Sequence, residues 1–394
     1  MNALRVRVYN VRFGDAILIS IPERDGESDT TRHLLIDVGN VLSTSGGDDD
    51  VFEPVVRDIL EVLGGEPLSL YIMTHEHLDH VQGLLYASEQ LGLELPGVEH
   101  AWLTASSAPD YYDSHPDAKR HVDMASRSYQ ALRRHLAADG EADLPVAVRA
   151  MLANNDARVK EIGSSQTGKC VEFLRNLTPE TTYVHRQNGS VAPHPFTETK
   201  LEVWAPEEDT SDYYGRFDSS RIQVLEPEDE RSGGDVIPPP GVDAGAFYNL
   251  VESRKRGHLD NLLAIDKAAN NTSVVVCLEW RGWRLLFPGD AEERSWQTMD
   301  AAQLLKPVHL YKVGHHGSRN GTPSEELLDK ILPAEAPDDS PRRAVVSTCP
   351  GSYNDVPDGA TLEQLSSRCT VHSTVGLEDG SYIDLEFEGS ERGS

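Results

Sequence analysis

The fold of this chain is decided by a short His-rich stretch, Thr74-His75-Glu76-His77-Leu78-Asp79-His80. The stretch follows an apolar run, 68–73, that is typical of a short buried strand. It is therefore predicted to be the loop at the carboxyl end of that strand, where ligands usually gather in layered α/β sheets. Alternate residues of an extended loop point the same way, so His75 and His77 can converge while Asp79 and His80 turn to the next position. This spacing predicts two adjacent metal sites.

The donor types indicate which metals would bind. Imidazoles and a carboxylate suit Zn²⁺, Mn²⁺ or Fe, and no Cys lies near the stretch to favour zinc alone. The alternative is a polar loop whose histidines cap the following helix. Four ligand-type residues within six positions after a buried strand favour the metal interpretation.

Two later polar clusters occupy the same position relative to predicted strands. Asp290 follows the strand-like segment 283–287, and the pair His315 and His316 follows 308–313. Alone, each cluster is typical of a turn aspartate or of loop histidines. Strands then helices, twice over, predict two sheets sandwiched between helices, so all three clusters could meet at one rim.

Four motifs in this order carry a resemblance to a known family. They are Asp37-Val38-Gly39, the HxHxDH stretch, Gly289-Asp290-Ala291-Glu292 and His315-His316-Gly317-Ser318. Together they resemble the metallo-β-lactamase superfamily, and within it the hydrolase domain of the bacterial DNA-uptake protein ComEC and free-standing relatives of that domain. The resemblance implies an α/β fold, a metallo-β-lactamase-like αββα sandwich of two mixed sheets flanked by helices.

The resemblance also implies roles for individual residues. His75 and His77 would hold one divalent ion, Asp79 and His80 the other, and Asp290 would bridge the two. Either histidine of the later pair can be the remaining ligand; we assign His316 to the metal and His315 to the substrate side. The residues expected to contact substrate or support the ligands are Asp37, Ser318 and Asn271. The superfamily's third histidine on the first ion has no clear match, and its candidates are His100, His115, His121 and His185.

The organisation of the chain follows from its length and composition. A single domain is expected over 1–394, with an insertion at 104–199. Residues 206–245 are acidic and rich in Pro and Gly, which predicts a flexible loop.

The net charge and the lack of targeting signals limit the classes of partner that the sequence predicts. The net charge of −29 gives a solvated surface that repels polyanions at long range. The chain starts with strand-like alternation, has no run of roughly 20 apolar residues, and spaces its four Cys without CxxC. These features predict a cytoplasmic protein with reduced thiols and no membrane contact; protein partners are not indicated.

The expected function is a dinuclear metal-dependent hydrolase, with two Zn or Mn ions, that uses a metal-bridging hydroxide on a phosphoester. Asp79 would orient the nucleophile and His315 would stabilise the developing oxyanion. A nuclease acting on single-stranded nucleic acid is the favoured form because of the ComEC resemblance. The alternatives are a hydrolase of a small ester, lactone or phosphodiester, and a non-catalytic binding scaffold stabilised by metal.

Overall fold

In the part of the chain that it describes, the computed structural model has thirteen strands at its centre. The structure describes residues 3–26, 28–41, 51–139, 151–155, 166–214, 263–335, 338, 340–349 and 356–389. The strands described there are, in chain order, β1 (Ala3–Tyr9), β2 (Ala16–Asp25), β3 (Ser28–Val38), β4 (Leu68–Met73), β5 (Val98–Thr104), β6 (Thr181–Val184), β7 (Lys200–Ala205), β8 (Val275–Trp280), β9 (Trp283–Phe287), β10 (Leu310–Lys312), β11 (Arg343–Val346), β12 (Thr370–Ser373) and β13 (Tyr382–Glu388).

These strands form two mixed sheets. The first has the order β13-β1-β2-β3-β4-β5-β6, antiparallel from β13 to β3 and parallel from β3 to β6. The second has the order β12-β11-β10-β9-β8-β7, antiparallel from β7 to β9 and parallel from β9 to β12. Each of β4, β9 and β10 has a parallel neighbour, so the loops after them leave from carboxyl-end rims of the kind that collects ligands.

An apolar cluster fills the space between the sheets. Val6 and Ile19 of the first sheet pack in it with Leu278 and Phe287 of the second, and all four are at most 2% exposed. The period-two alternation of the strands turns these side chains to one face. Each such side chain contributes roughly 1.5–3 kcal/mol by leaving water.

Helices cover the outer faces of both sheets. The described helices include α1 (Phe52–Leu63), α2 (Leu78–Glu89), α3 (Tyr111–Ser114), α4 (Pro116–Asp139), α5 (Gln166–Arg175), α6 (Glu293–Ala301), α7 (Glu325–Ile331) and α8 (Gly359–Ser366). Val55, Leu85 and Leu174, from α1, α2 and α5, pack on the first sheet. Trp296 and Leu328, from α6 and α7, pack on the second sheet. The predicted αββα sandwich is confirmed.

Part of the expected insertion belongs to the first layer. β6 pairs in parallel with β5, and Cys170 and Leu174 of α5 lie in the cluster that covers the first sheet. The short run of β6 lacks the alternation that would have revealed a strand. Of the expected acidic loop at 206–245, residues 206–214 are described and the others lie outside the described residues.

Two expectations about thiols and membranes can be compared with the structure. All four Cys are free thiols, with Cys170 and Cys277 buried, as expected. Among the described helices, none has both the length and the apolar character needed to cross a membrane.

Candidate metal centre

The His-rich stretch leaves a fully buried strand and enters a helix. Every residue of β4 is buried. His77 is the N-cap of α2, in extended conformation, and its side chain makes no capping hydrogen bond. Asp79 and His80 therefore lie in the first turn of α2. The alternative in which the histidines cap the following helix therefore does not hold for His77.

Asp37 holds this stretch in place. Its carboxylate accepts hydrogen bonds from the Thr74 backbone N–H at 2.8 Å and from Thr74 Oγ1 at 2.6 Å. It also accepts one from His80 Nδ1 at 2.8 Å. Because Nδ1 carries that proton, His80 presents Nε2 to the interior of the site. Asp37 thus has the contacts of the supporting residue that the sequence predicted.

The glycine of the same turn lets two backbones touch. A Cβ on Gly39 would lie 2.2 Å from both Asp79 C and His80 N, so only glycine fits. A Cβ on Gly14 would likewise lie 2.1 Å from Gly39 O. The first turn of α2, which carries Asp79 and His80, therefore packs directly against the backbone of Gly39.

Four predicted ligands meet in one buried cluster: Asp79, His80, Asp290 and His316. Asp290 Oδ2 lies 3.3 Å from His80 Nε2 and 3.6 Å from His316 Nε2. Asp79 Oδ2 lies 3.3 Å from His316 Nε2, and Asp79 Oδ1 lies 3.9 Å from His80 Nε2. All four residues are at most 2% exposed.

These donors fit a divalent ion. Two atoms that bind one ion at about 2.0–2.2 Å lie roughly 3–4 Å apart, which matches the spacings in the cluster. Asp79 Oδ1 is buried and has no hydrogen-bond partner among the described residues. A buried carboxylate oxygen left in this way is costly, and an ion would satisfy it. Nitrogen and oxygen donors without sulfur suit Zn²⁺ and Mn²⁺.

The local backbone distinguishes the two adjacent histidines. His315 and His316 both have positive φ, 46° and 55°, which turns their side chains apart. His316 Nδ1 donates to Ser347 O at 3.2 Å, so its Nε2 points at the carboxylates. His315 is partly exposed, and its Nδ1 lies 3.5 Å from Glu292 Oε1. The geometry therefore places His316 in the cluster and His315 at its edge.

The cluster is strongly coupled in charge. Burial works against the charged form of His80, but Asp290, Asp37 and Asp79 outweigh it and raise the pKa of His80 well above its usual value. Burial also opposes ionisation of Asp290, yet His80 and His316 lower its pKa well below the usual range. Burial opposes ionisation of Asp79 as well, but His80 and His316 lower its pKa, so both carboxylates are held as anions, the form that binds metal.

A buried ion pair that the sequence analysis missed stands behind His316. Lys312 Nζ donates to Asp15 Oδ2 at 2.8 Å, and both residues are 1% exposed. Ser347 Oγ also donates to Asp15. A Gly-Asp pair such as Gly14-Asp15 is typical of a surface turn that aims its aspartate at solvent, but Asp15 is buried because Lys312 supplies a charged partner inside the protein. A lysine inside the apolar run 308–313 was the available signal.

His75 lies beside the cluster and near His77. The His75 ring is 4.6 Å from that of His77 and 4.2 Å from that of His80. Ser273 Oγ lies 3.3 Å from His75 Nδ1 and accepts the Asp290 backbone N–H at 3.1 Å. One hydroxyl thus connects loops from the two sheets.

The candidates for a third histidine lie elsewhere. His115 Nδ1 donates to Tyr111 O and His121 Nδ1 donates to Ser211 O, each at 2.8 Å. His185 Nδ1 contacts Gln187 Oε1 at 3.0 Å, and His100 lies in β5. None of the four lines the pocket over the cluster. The carboxylate of Asp266 instead lies 3.9 Å from His77 Nε2.

A cavity of about 300 Å³ opens over the cluster. Its lining includes His77, Asp79, Asp290, His315 and Ser318. Apolar side chains form another part of its wall, namely Phe13, Met151, Leu263 and Val356.

Asn271 has a different position from the pocket residues. Its Oδ1 accepts from Ser295 N at 3.1 Å and from Ser295 Oγ at 2.8 Å, and its Nδ2 donates to Lys267 O at 2.8 Å. It does not line the pocket. Of its two predicted roles, these contacts favour support of the segment after Asp290.

Comparisons with known proteins add one structural likeness. No family model matches this chain, and no curated protein matches it. Among solved structures, the metallo-β-lactamase fold protein YhfI from Bacillus subtilis aligns with 98% of this chain and 100% of its own, at a TM-score of 0.37 and 8% identity. The fold described here rests on the αββα layers and sheet order given above.

Proposed function

We propose that this chain is a metal-dependent hydrolase that cleaves a small phosphodiester with two divalent ions, Zn²⁺ or Mn²⁺. The observation that supports this most is the buried cluster of two imidazoles and two carboxylates, within 4.8 Å of one another. It lies at the floor of an open cavity rather than in a closed shell. A purely structural site would have no need of an accessible position.

Asp79, His80, Asp290 and His316 would hold one ion, with Asp290 shared, and His75 and His77 would contribute to the other. When bound, such ions lower the pKa of a coordinated water and polarise the scissile bond. The supporting contacts fix the donors: Asp37 orients His80, and the Ser347 carbonyl orients His316. Rigid support of this kind keeps ligands in place during turnover.

Asp79 and His315 are the proposed catalytic side chains. Asp79 lines the cavity, and its carboxylate can orient the attacking water by a hydrogen bond. His315 stands at the cavity edge, where its imidazole can donate to the oxygen that gains charge. Ser318 Oγ accepts from Gly321 N at 3.3 Å, which suits a turn or substrate contact better than a nucleophile.

The charge of the pocket favours a monoanionic substrate. The described lining contains one lysine and four carboxylates: Lys267, Asp79, Asp266, Asp290 and Glu292. With neutral histidines these side chains sum to −3, and two divalent ions would bring the total to +1. A phosphodiester carries one negative charge and would be attracted to this centre.

The size and walls of the pocket bear on the nuclease alternative. A cavity of about 300 Å³ with apolar walls suits a small ester with an apolar substituent. A long nucleic acid would need many Lys or Arg contacts to its phosphates, whereas the whole chain has a net charge of −29. The motif resemblance to the ComEC hydrolase domain supports a nuclease, so single-stranded DNA and RNA belong in the test.

In the test, the purified chain is loaded with Zn²⁺ or Mn²⁺ and incubated with each of four substrates. They are a chromogenic phosphodiester, a chromogenic carboxylic ester, single-stranded DNA and RNA. The proposal expects the phosphodiester to be cleaved and the activity to fall at least about 100-fold in Asp79→Asn. Asp117→Asn, at an exposed position of α4, is the matched control and should keep full activity.

Other outcomes would select the alternatives. Preferential cleavage of DNA or RNA would replace the small phosphodiester by a nuclease substrate. Cleavage of the carboxylic ester alone would point to ester or lactone hydrolysis. Metal binding with no turnover of any substrate would leave the scaffold alternative.

A further inference from the structure

We propose that Asp266 completes the first metal site together with His75 and His77, where related sites would use a third histidine. This inference rests on the proposed metal centre and adds to it a ligand from a distant part of the chain. Asp266 lies in the helical segment 263–270. The sequence offered no sign of it, because nothing in its immediate neighbourhood resembles a metal motif.

The geometry brings Asp266 to the correct side of His77. Its Oδ1 lies 3.9 Å from His77 Nε2, and both side chains line the same cavity. Two ligands of one ion are separated by roughly 3–4 Å, so a single ion can bind both atoms. The His75 ring stands 4.6 Å from that of His77 on the same loop. His75 is therefore the neighbour of the His77–Asp266 pair, beside the Asp290 cluster.

A buried amide holds the Asp266 carboxylate. Asn155 Nδ2 donates to Asp266 Oδ1 at 2.9 Å and to Met151 O at 2.9 Å. Asn155 is fully buried, so this contact fixes the carboxylate instead of sharing it with solvent. Carboxylates that bind metals are commonly held by such a hydrogen bond.

Among the described residues that line the cavity around Asp266, carboxylates outnumber positively charged side chains. Asp79 and Glu292 line the same cavity, and like charges in a buried site repel strongly. Lys267 is the lysine among the described lining residues. A second divalent ion would balance the carboxylates that surround it.

An unsatisfied polar atom also points to a ligand in this volume. Asn154 is 4% exposed and lines the cavity, and its Oδ1 has no hydrogen-bond partner among the described residues. A water bound to an ion at this site would supply that partner.

The competing donors have other partners. Glu292 Oε1 accepts from Asn270 Nδ2 at 2.8 Å. The histidines expected for the role, His115 and His121, donate to backbone carbonyls outside the cavity. Asp266 is thus the best-placed additional donor for His77 among the described residues.

The experiment measures metal content and affinity, and does not depend on turnover. The metal-free full chain is titrated with Zn²⁺ in competition with a chromogenic chelator, and bound zinc is counted by mass spectrometry after dialysis. Wild type and the control Asp117→Asn should bind two ions per chain. Asp266→Asn should keep one ion and lose about 100-fold in affinity for the other.

Three further variants keep the inference testable if Asp266→Asn folds poorly. Asn155→Ala should lower the affinity for the same ion about 10-fold, because the Asp266 carboxylate is then less well held. His77→Ala should also lower the affinity for this ion. The His77→Ala/Asp266→Asn double variant should lose little more affinity than either single variant, because both residues act at one site. The d–d absorption of the Co²⁺-substituted chain should change in the same variants.

The outcomes separate the inference from the proposed function. Two ions bound with wild-type affinity in Asp266→Asn and Asn155→Ala would overturn the role of Asp266 and leave the metallohydrolase proposal standing. A wild-type chain that binds no divalent ion would overturn the proposed function itself.

Discussion

The contact between Gly39 and the first turn of α2 gives the sharpest prediction. In Gly39→Ala the new Cβ would lie 2.2 Å from Asp79 C and His80 N. Carbon contacts are comfortable from about 3.5 Å, so the ligand-bearing turn must move by about 1 Å. Overpacking of this kind costs about 1–3 kcal/mol of unfolding free energy. A 1 Å displacement of catalytic groups lowers the rate about 100-fold.

The assay compares Gly39→Ala with Gly359→Ala, where no atom lies within 4 Å of the added Cβ. Urea unfolding, zinc titration and phosphodiester hydrolysis are measured on both variants. The control should match wild type in metal binding and rate, and should be equally stable or more stable by up to about 1 kcal/mol. If Gly39→Ala behaves as the control does in all three measurements, the close seating of the ligand turn on Gly39 is wrong.

Three further predictions address support and pH. Asp37→Asn removes the carboxylate that accepts from His80 Nδ1, so zinc affinity should fall about 10–100-fold in a chelator competition; unchanged affinity would contradict this role. Glu23 is buried and accepts hydrogen bonds from the backbone N–H groups of residues 197–199. Glu23→Gln should therefore lower the free energy of unfolding in urea by about 2–4 kcal/mol, and a loss below about 0.5 kcal/mol would show that these bonds are weak. Burial lowers the pKa of His33 from 6.5 to about 4, so between these pH values the unfolded chain takes up a proton that the folded chain refuses. Stability should therefore be full above pH 6.5 and fall by about 3 kcal/mol towards pH 4, a loss that His33→Gln should lack; equal pH dependence of the two proteins would refute it.

Much of the layered architecture could be predicted because hydrophobic periodicity is a local signal. The strand before His75 and the hairpin of β8 and β9 both appeared as apolar runs bounded by turn residues. β6 was missed because Thr181–Val184 is short and has no clear alternation. α5 was missed because it lies in a stretch where polar and apolar residues do not follow a distinct period.

The site was predictable only where its donors lie in compact motifs. Asp290 and His316 follow buried strands, and the structure brings them to the His-rich loop. Asp266 could not be found in this way, since its proximity to His77 depends on how a distant helix packs. The choice between His315 and His316 required backbone angles that the sequence does not display. The inward direction of Asp15 depended on a buried lysine almost 300 residues later in the chain.

The cluster draws its donors from both sheets, and this has a consequence for how the protein comes apart. Asp79 and His80 belong to the layer of α2, whereas Asp290 and His316 follow strands of the second sheet. An ion held by all four would link the two halves, which also meet through the apolar cluster between the sheets and the Asp15–Lys312 ion pair. At an ion concentration about 1,000 times the dissociation constant, this linkage is worth about 4 kcal/mol. Chelation should then lower the melting temperature and loosen one layer against the other before the strands of either sheet separate.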